Sequence, residues 1–178
     1  MNILVVHTSP RRGGNSAQLA SEFIRGAEEA GNKVKLIEVG NADIHGCKAC
    51  EYCFKHDGAC VQKDKMQEFY PQLRWADAVI YATPMYYYSF PAQMRAFQDR
   101  QFCGIGKSFG ITHTGLLLCF EDKDKSTCEH AVGTFHVAAD YCKQEILGEV
   151  IVNNVYEKGA IEGNPGLQEA YEFGLSIK

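Results

Sequence analysis

One short stretch near the start of the chain, residues 7–16, constrains the fold more than any other. It contains two arginines, two adjacent glycines and an Asn-Ser pair, and it follows an apolar run at residues 3–6. Four apolar residues after it recur at the spacing of one helix face: Ala20, Phe23, Ile24 and Ala27. A short apolar run ahead of a helix is typical of a buried parallel strand. The chain therefore begins with a strand, a loop and a helix.

This loop has the composition of a phosphate-binding site. At the N-terminus of a helix, unpaired backbone N–H groups and the positive end of the helix dipole attract an anion. Glycine lets the backbone approach a phosphate closely, and hydroxyl, amide and guanidinium groups donate hydrogen bonds to its oxygens. The candidate cofactor-binding residues of the loop are Ser9, Arg11, Gly14, Asn15 and Ser16. The alternative is an ordinary turn with two solvated arginines.

Two widespread phosphate-binding motifs are absent from this loop. The chain has no G-x-x-x-x-G-K-[ST], which disfavours a nucleoside triphosphatase. The adjacent glycines at 13 and 14 do not supply G-x-G-x-x-G, which disfavours a dinucleotide-binding site of the Rossmann type.

Beyond this unit the sequence alternates between strand-like and helix-like segments. Apolar runs predict further strands at residues 34–39, 78–82, 115–120 and 150–152. Helices are predicted to begin at Asp64, at Phe90-Pro91, at a capping box starting with Ser126, and at Asn164-Pro165. Pro71 should break or kink the first of these. The alternation is typical of an α/β fold with a parallel sheet, and we expect one domain over residues 1–178.

Composition and charge narrow the class of partner and the compartment. With 178 residues, 46% hydrophobic residues and a net charge of -4, the chain resembles an ordinary soluble domain. It has no basic stripe and no apolar run of membrane-spanning length, so we expect neither nucleic acid nor a membrane as partner. No export signal is recognisable, and we expect a cytoplasmic location in which thiols stay reduced.

Eight cysteines in a reducing compartment are better explained as metal ligands, redox groups or buried small residues than as disulfides. Four of them lie in a cysteine-rich insertion at residues 40–63 and are the candidate metal ligands: Cys47, Cys50, Cys53 and Cys60. Thiolates at this spacing suit a [4Fe-4S] cluster better than zinc, whose structural sites usually combine two separated pairs. The alternative is four unligated thiols.

The remaining cysteines share no ligand spacing: Cys103, Cys119, Cys128 and Cys142. We expect Cys119 to be a small buried residue of a strand and Cys142 one of a helix. The histidines do not cluster, and we expect His7 and His113 near the ligand as core or loop residues.

Three motifs resemble those of known flavoproteins. Thr8-Ser9-Pro10-Arg11 followed by Gly14-Asn15-Ser16 resembles the G-S-P-R-x-x-G-N-[ST] loop of the flavodoxin-like NAD(P)H-dependent FMN reductase family, with Thr8 where the family often has Gly. Residues 83–100 resemble the family's S-P-x-Y-x-x-S-x-x-x-Q-x-K-x-x-x-D-R, and we interpret the final Asp99-Arg100 pair as structural. The cysteine motif resembles that of the iron-sulfur flavoproteins, a branch of the same superfamily.

This resemblance implies a flavodoxin-like doubly wound five-stranded parallel sheet, order 2-1-3-4-5, with helices on both faces. Its ligand should lie at the switch point between strands 1 and 3. The loops after strands 3 and 4 then reach the ligand and add further candidate cofactor-binding residues: Pro84, Met85, Tyr86, Tyr87, Ser89 and Phe120. Aromatic side chains suit a flat ring. The alternative is that these tyrosines pack a lid or a subunit contact.

The function implied is an FMN-dependent oxidoreductase in which flavin N5, and no protein side chain, carries the reaction. In one mechanism NAD(P)H reduces FMN, which then reduces a quinone, a flavin or another small acceptor. In the other, a [4Fe-4S] cluster relays electrons between ferredoxin and FMN. A third class is a flavin-binding module without turnover. The resemblance also implies a homodimer or homotetramer.

Overall fold

Five parallel strands form one sheet in the order 2-1-3-4-5 in the computed structural model, which describes residues 1–178. The strands are β1 (Asn2–His7), β2 (Lys33–Glu38), β3 (Ala78–Pro84), β4 (His113–Cys119) and β5 (Glu145–Val152). The α-helices are α1 (Asn15–Glu29), α2 (Met66–Trp75), α3 (Ala92–Arg100), α4 (Glu129–Tyr141) and α5 (Pro165–Ser176). Short 3-10 helices cover Tyr52–Lys55, Gln101–Ile105 and Lys125–Cys128. The predicted fold class and strand order are confirmed.

Helices cover both faces of the sheet, which explains why its central strands are apolar throughout. In β1, Leu4 and Val6 pack into one buried cluster, while Ile3 and Val5 pack into another on the opposite face. Since all strand pairs are parallel, the carboxyl ends of the strands meet at one edge. That edge is where a doubly wound sheet binds its ligand.

Of the break or kink predicted at Pro71, the break is wrong. Helix α2 runs through Pro71 without a break. The neighbouring side chains Phe69, Tyr70 and Leu73 are buried against the sheet, and this packing outweighs the one backbone hydrogen bond that proline removes.

Helix α4 differs from its prediction at both ends. The capping box at Ser126 is replaced by a 3-10 turn, in which the Asp124 carboxylate accepts from the Ser126 N–H at 2.9 Å. The buried residues of the helix are Ala131, Phe135 and Ala139. Cys142 is exposed, which contradicts its prediction as a core residue, because it caps the C-terminal end of the helix, after the last helical residue Tyr141.

The cysteine-rich segment at residues 40–63 connects β2 to α2 and has little regular structure. Its one short element is the 3-10 turn at Tyr52–Lys55. Three of its non-glycine residues adopt positive φ: Ala49, Glu51 and Asp57. No helix of the protein combines the length and the apolar character needed to cross a membrane.

Candidate functional site

A cleft made of two adjoining cavities, of about 260 and 630 Å³, lies at the carboxyl edge of the sheet. Ten of the eleven predicted cofactor-binding residues line the smaller one: Ser9, Arg11, Gly14, Asn15, Ser16, Pro84, Met85, Tyr86, Tyr87 and Phe120. Met85, Tyr87 and Tyr156 line both cavities, so the two form one continuous cleft. Ser89 does not line it.

The N-terminus of α1 supplies free donors at the inner end of this cleft. The backbone N–H groups of Asn15 and Ser16 have no acceptor within the protein, as expected for the first turn of a helix. The Ser16 hydroxyl lies 3.1 Å from Nε2 of His7. Burial lowers the pKa of His7, although Glu38 partly offsets this, so the imidazole is neutral at pH 7. This donor set suits a phosphate.

Two of the predicted loop residues also hold the loop in place. The Arg11 guanidinium donates to the carbonyl oxygen of Tyr156 at 3.0 Å and lies 5.3 Å from the centre of its ring. The Asn15 side chain donates to the carbonyl oxygen of Glu157 and accepts from the N–H of Gly159 at 3.1 Å. The loop after β5 is therefore part of the site.

Sequence analysis missed that loop because no motif marks it. The residues of the smaller cavity outside the predictions are Cys119, Glu121, Val155 and Tyr156. Burial raises the pKa of Cys119 to about 12, so this thiol stays protonated. Lys158 passes over Gly13, with Nζ 3.6 Å from the position that a Cβ would take there, and adds a positive charge beside the phosphate loop.

A tight turn carries the tyrosines that flank the cleft. Tyr86 and Ser89 exchange two backbone hydrogen bonds of 2.9 and 3.0 Å, and the two residues between them, Tyr87 and Tyr88, have φ of 50 and 61°. This is the type I′ geometry usually built from Asn-Gly. Left-handed backbone costs about 1–2 kcal/mol per side-chain-bearing residue. Ser89 closes the turn, which explains why it does not reach the cleft.

The two histidines expected near the ligand lie at opposite edges of the sheet. His7 ends β1 at the cleft, whereas His113 begins β4 at the amino edge. The prediction for His113 is wrong, because parallel strands place the start of every strand away from the site.

The four predicted metal ligands line a separate small cavity together with Arg100 and a fifth cysteine, Cys103. Cys47 and Cys50 are exposed, Cys60 is half-buried and Cys53 is buried. No group of three or more Cys, His, Asp or Glu side chains is arranged to hold a metal ion. The structure thus brings the four thiols to one cavity without coordination geometry. Sequence spacing gave no sign of Cys103, which lies far along the chain.

The cysteine cavity also contains a buried guanidinium, that of Arg100. Its Nη2 donates to Cys60 Sγ at 3.4 Å, and its Nη1 donates to the Asp64 carboxylate. Burial raises the pKa of Cys60, but the neighbouring Gln62 backbone and Tyr70 hydroxyl, with the Arg100 guanidinium that donates to its sulfur, outweigh burial, and the net shift is downward. The Arg100 Nε–H is buried without any acceptor. Clustered thiols and a spare buried N–H donor fit an iron-sulfur cluster, whose sulfurs accept hydrogen bonds.

Comparison with known proteins agrees with this geometry. A family model described as NADPH-dependent FMN reductase matches residues 1–117. The chain belongs to this family. The protein is therefore an FMN-dependent NAD(P)H oxidoreductase, as the resemblance implied. Membership in a family of reductases disfavours a flavin-binding module without turnover.

Individual relatives extend the comparison beyond residue 117. An iron-sulfur flavoprotein from Methanosarcina thermophila is 29% identical over 170 residues, which cover 95% of this chain and 86% of that protein. Another, from Archaeoglobus fulgidus, is 36% identical over 92 residues, or 52% of this chain and 41% of that protein. An NAD(P)H:quinone oxidoreductase from Methanothermobacter marburgensis superimposes with a TM-score of 0.76 at 14% identity, covering 100% of this chain and 96% of that chain, and shows the shared fold.

Proposed function

We propose that the cleft binds FMN, that NAD(P)H reduces it, and that the electrons pass to a small acceptor such as a quinone or a free flavin. The observation that carries this proposal is the pair of free N–H groups of Asn15 and Ser16 at the closed end of a cleft that opens into a larger cavity. When bound there, FMN supplies the hydride and single-electron chemistry.

The protein's own groups then divide into two sets. The first turn of α1, with the Ser16 hydroxyl and the positive charges of Arg11 and Lys158, holds the phosphate. The second set faces the ring. The N–H groups of Met85 and Tyr86 are already bonded to protein carbonyls, whereas those of Tyr87 and Tyr88 have no acceptor within the protein. We assign the latter pair to the polar edge of the ring, where donors stabilise a reduced anionic flavin.

Anaerobic reconstitution tests this function directly. Apoprotein is titrated with FMN and with FAD, and the FMN-loaded protein is mixed with NADPH or NADH while flavin absorbance is followed. We expect FMN to bind more tightly than FAD, and a nicotinamide to bleach the flavin, with recovery on adding a quinone. Tighter FAD binding would refute the phosphate site, and a flavin that neither nicotinamide bleaches would refute the donor.

The second candidate function is electron relay between ferredoxin, a [4Fe-4S] cluster and FMN. Four thiols and an unpaired buried N–H at one cavity favour it, as does the likeness to proteins named iron-sulfur flavoproteins. Cys47, Cys50, Cys53 and Cys60 would hold the cluster. Iron and acid-labile sulfide measured after anaerobic reconstitution decide the matter. Less than one iron per chain with normal FMN content would leave only the first function.

We also propose that a second copy of the chain covers the tyrosine turn. Tyr87 is 98% and Tyr88 62% exposed, although both line the cleft. Large aromatic surface in a rigid turn is typical of a subunit contact. Light scattering over a dilution series should show a homodimer or homotetramer. A monomer with full FMN affinity would exclude this assembly.

A further inference from the structure

We propose that Arg100 is a positioning residue of the cysteine site, where its guanidinium donates hydrogen bonds to the sulfurs of the bound cluster and raises the cluster's reduction potential. This inference rests on the second candidate function. It departs from the purely structural role that the Asp99-Arg100 pair suggests in the sequence.

The contacts of Arg100 show how one side chain reaches three parts of the cysteine segment. Arg100 is the last residue of α3, and its side chain is completely buried. Nη1 donates to the carbonyl oxygen of His45 at 3.0 Å, near the start of the segment, and to the carboxylate of Asp64, directly after its end. Nη2 donates to Cys60 Sγ at 3.4 Å, an ordinary distance for a bond to sulfur. The guanidinium therefore fixes the last of the four thiols relative to the segment's ends.

The hydrogen bonds of the Arg100 guanidinium are not all made within the protein, although Asp64 balances its charge. Asp64 is the one carboxylate that contacts the guanidinium, and Tyr70 and Cys103 donate to the Arg100 backbone carbonyl, not to its side chain. Nε–H keeps no partner, and a buried donor without an acceptor is destabilising. The whole chain has only one other buried side-chain polar atom without a partner, Oε1 of Gln72. An acceptor for this N–H is therefore expected from whatever the cavity binds.

A cluster sulfur is an acceptor of the right kind. The oxidised cluster with four thiolates carries net negative charge, and reduction adds one electron, taken from a one-electron donor such as reduced ferredoxin, which is oxidised in turn. N–H···S bonds and a fixed positive charge stabilise the more negative state and so raise the potential. The guanidinium supplies both and keeps its proton throughout. A purely structural Arg100 would affect how much cluster is held, but not the potential of the cluster that is held.

Redox titration of reconstituted protein separates these roles. Wild type, Arg100→Lys and Arg100→Gln are titrated anaerobically, with the reduced cluster followed by electron paramagnetic resonance and FMN by absorbance. We expect the cluster potential to fall in Arg100→Lys and to fall further in Arg100→Gln, which loses the charge as well as the fork of donors. The FMN potential should not move. Arg95→Gln, on the exposed face of the same helix, is the matched control.

A second measurement needs no variant and covers the case in which Arg100→Gln does not fold. Arg100 is the only arginine that lines the cavity. Wild-type protein with ¹⁵N-labelled arginine should show magnetic coupling between a guanidinium nitrogen and the reduced cluster. Equal cluster potentials in wild type and Arg100→Gln, or absence of this coupling, would overturn the inference while leaving the cluster in place. A wild-type protein that assembles no cluster would instead overturn the second candidate function and the inference with it.

Discussion

The cleft at the carboxyl edge of the sheet and the cysteine segment are built in different ways. Backbone hydrogen bonds between neighbouring strand ends hold the cleft: Thr8 N–H to Ala82, Met85 N–H to Cys119 and Phe120 N–H to Val152, all at 2.9–3.0 Å. Residues 40–63 contain one 3-10 turn, and side chains from outside the segment anchor them, chiefly Gln67 and Arg100. The cleft thus has its shape without a ligand. The thiols share a cavity but not a coordination geometry, so metal binding there should contribute directly to folding.

The sharpest test of this contrast removes one predicted cluster ligand and, separately, the one cysteine of the same cavity that is not a predicted ligand. Cys50→Ser should abolish cluster assembly, from about four iron atoms per chain to fewer than one, because a [4Fe-4S] cluster needs its four ligands. Cys103→Ala, in the same cavity, should keep its iron. The Cys103 thiol donates a hydrogen bond to the Arg100 carbonyl oxygen and is not one of the four predicted ligands. FMN content should be normal in both. Iron retained in Cys50→Ser, or lost in Cys103→Ala, would mean that the ligand set is wrong.

The phosphate loop should respond independently. Ser16→Ala and Arg11→Ala should each weaken FMN binding by about 1.5–3 kcal/mol, the range for hydrogen bonds to a charged group. That is roughly a ten- to hundredfold increase in Kd for each, measured by fluorescence titration. Arg12→Ala is the control, because Arg12 is exposed and does not line the cleft. If the variant that combines Ser16→Ala and Arg11→Ala bound FMN with unchanged affinity, the phosphate would not bind at this loop. Loss of iron in that variant would show that the cleft and the cysteine segment are coupled.

Gly40 is where the two regions touch, and a substitution there should disturb both. A Cβ on Gly40 would overlap the carbonyl oxygen of Ser9, and Asn41 Nδ2 donates to the carbonyl oxygen of Pro10 at 3.0 Å. Gly40→Ala should lower the free energy of unfolding by about 1–3 kcal/mol, as overpacking does. Denaturant unfolding measures this, with Gly46→Ala as a control that meets open space. Equal stabilities would show that the loop shifts without cost.

Acid should act on the two regions in different pH windows. The folded pKa of His7 is lowered from 6.5 chiefly by burial, so its stabilising contribution is complete above pH 6.5 and is lost as pH falls below that value. Burial raises the pKa of Asp64, but hydrogen bonds from Arg100 and the His45 backbone outweigh it, so the contribution of Asp64 is present above pH 3.8 and is lost below that value. The free energy of unfolding, measured against pH, should fall below pH 6.5 in wild type but not in His7→Gln. It should fall again below pH 3.8 in wild type but not in Asp64→Asn.

The smallest effect expected is that of Lys158. Its exposed ammonium beside Gly13 should contribute about 0.3–1 kcal/mol to FMN binding, because solvent screens it. Lys158→Met should therefore raise the Kd by roughly two- to fivefold at low salt and less at high salt. A salt-independent change would indicate a packing role.

Sequence patterns predicted most of the fold because local and global signals agree along the sheet. The apolar β1 run, buried on both faces, and the Asn164-Pro165 start of α5, where Asn164 caps the Gly166 N–H, are examples. Errors arose where tertiary packing overrides a local rule. Pro71 lies within a helix, and Cys142 lies just past the end of one.

The candidate site divides in the same way. The residues within the phosphate loop are adjacent in sequence, as are those within the tyrosine turn, and a motif marks each segment. That the two segments meet follows from the strand order. Tyr156, Lys158 and Cys103 reach their sites from segments that carry no motif. Their roles depend on long-range contacts, which periodicity and spacing do not encode.

Helix α3 begins at Ala92, four residues after Tyr88, and ends at Arg100, so it spans from the tyrosine turn to the cysteine cavity. Its nine residues rise about 1.5 Å each, which separates its ends by roughly 13 Å. Each residue also turns the helix by about 100°. One alanine inserted in the helix would therefore rotate Arg100 by about a quarter-turn away from Cys60, with no contact residue replaced. The helix acts as a spacer of fixed length and angular phase, because an insertion of three or four residues would restore the phase but still move Arg100 by about 5 Å along the axis.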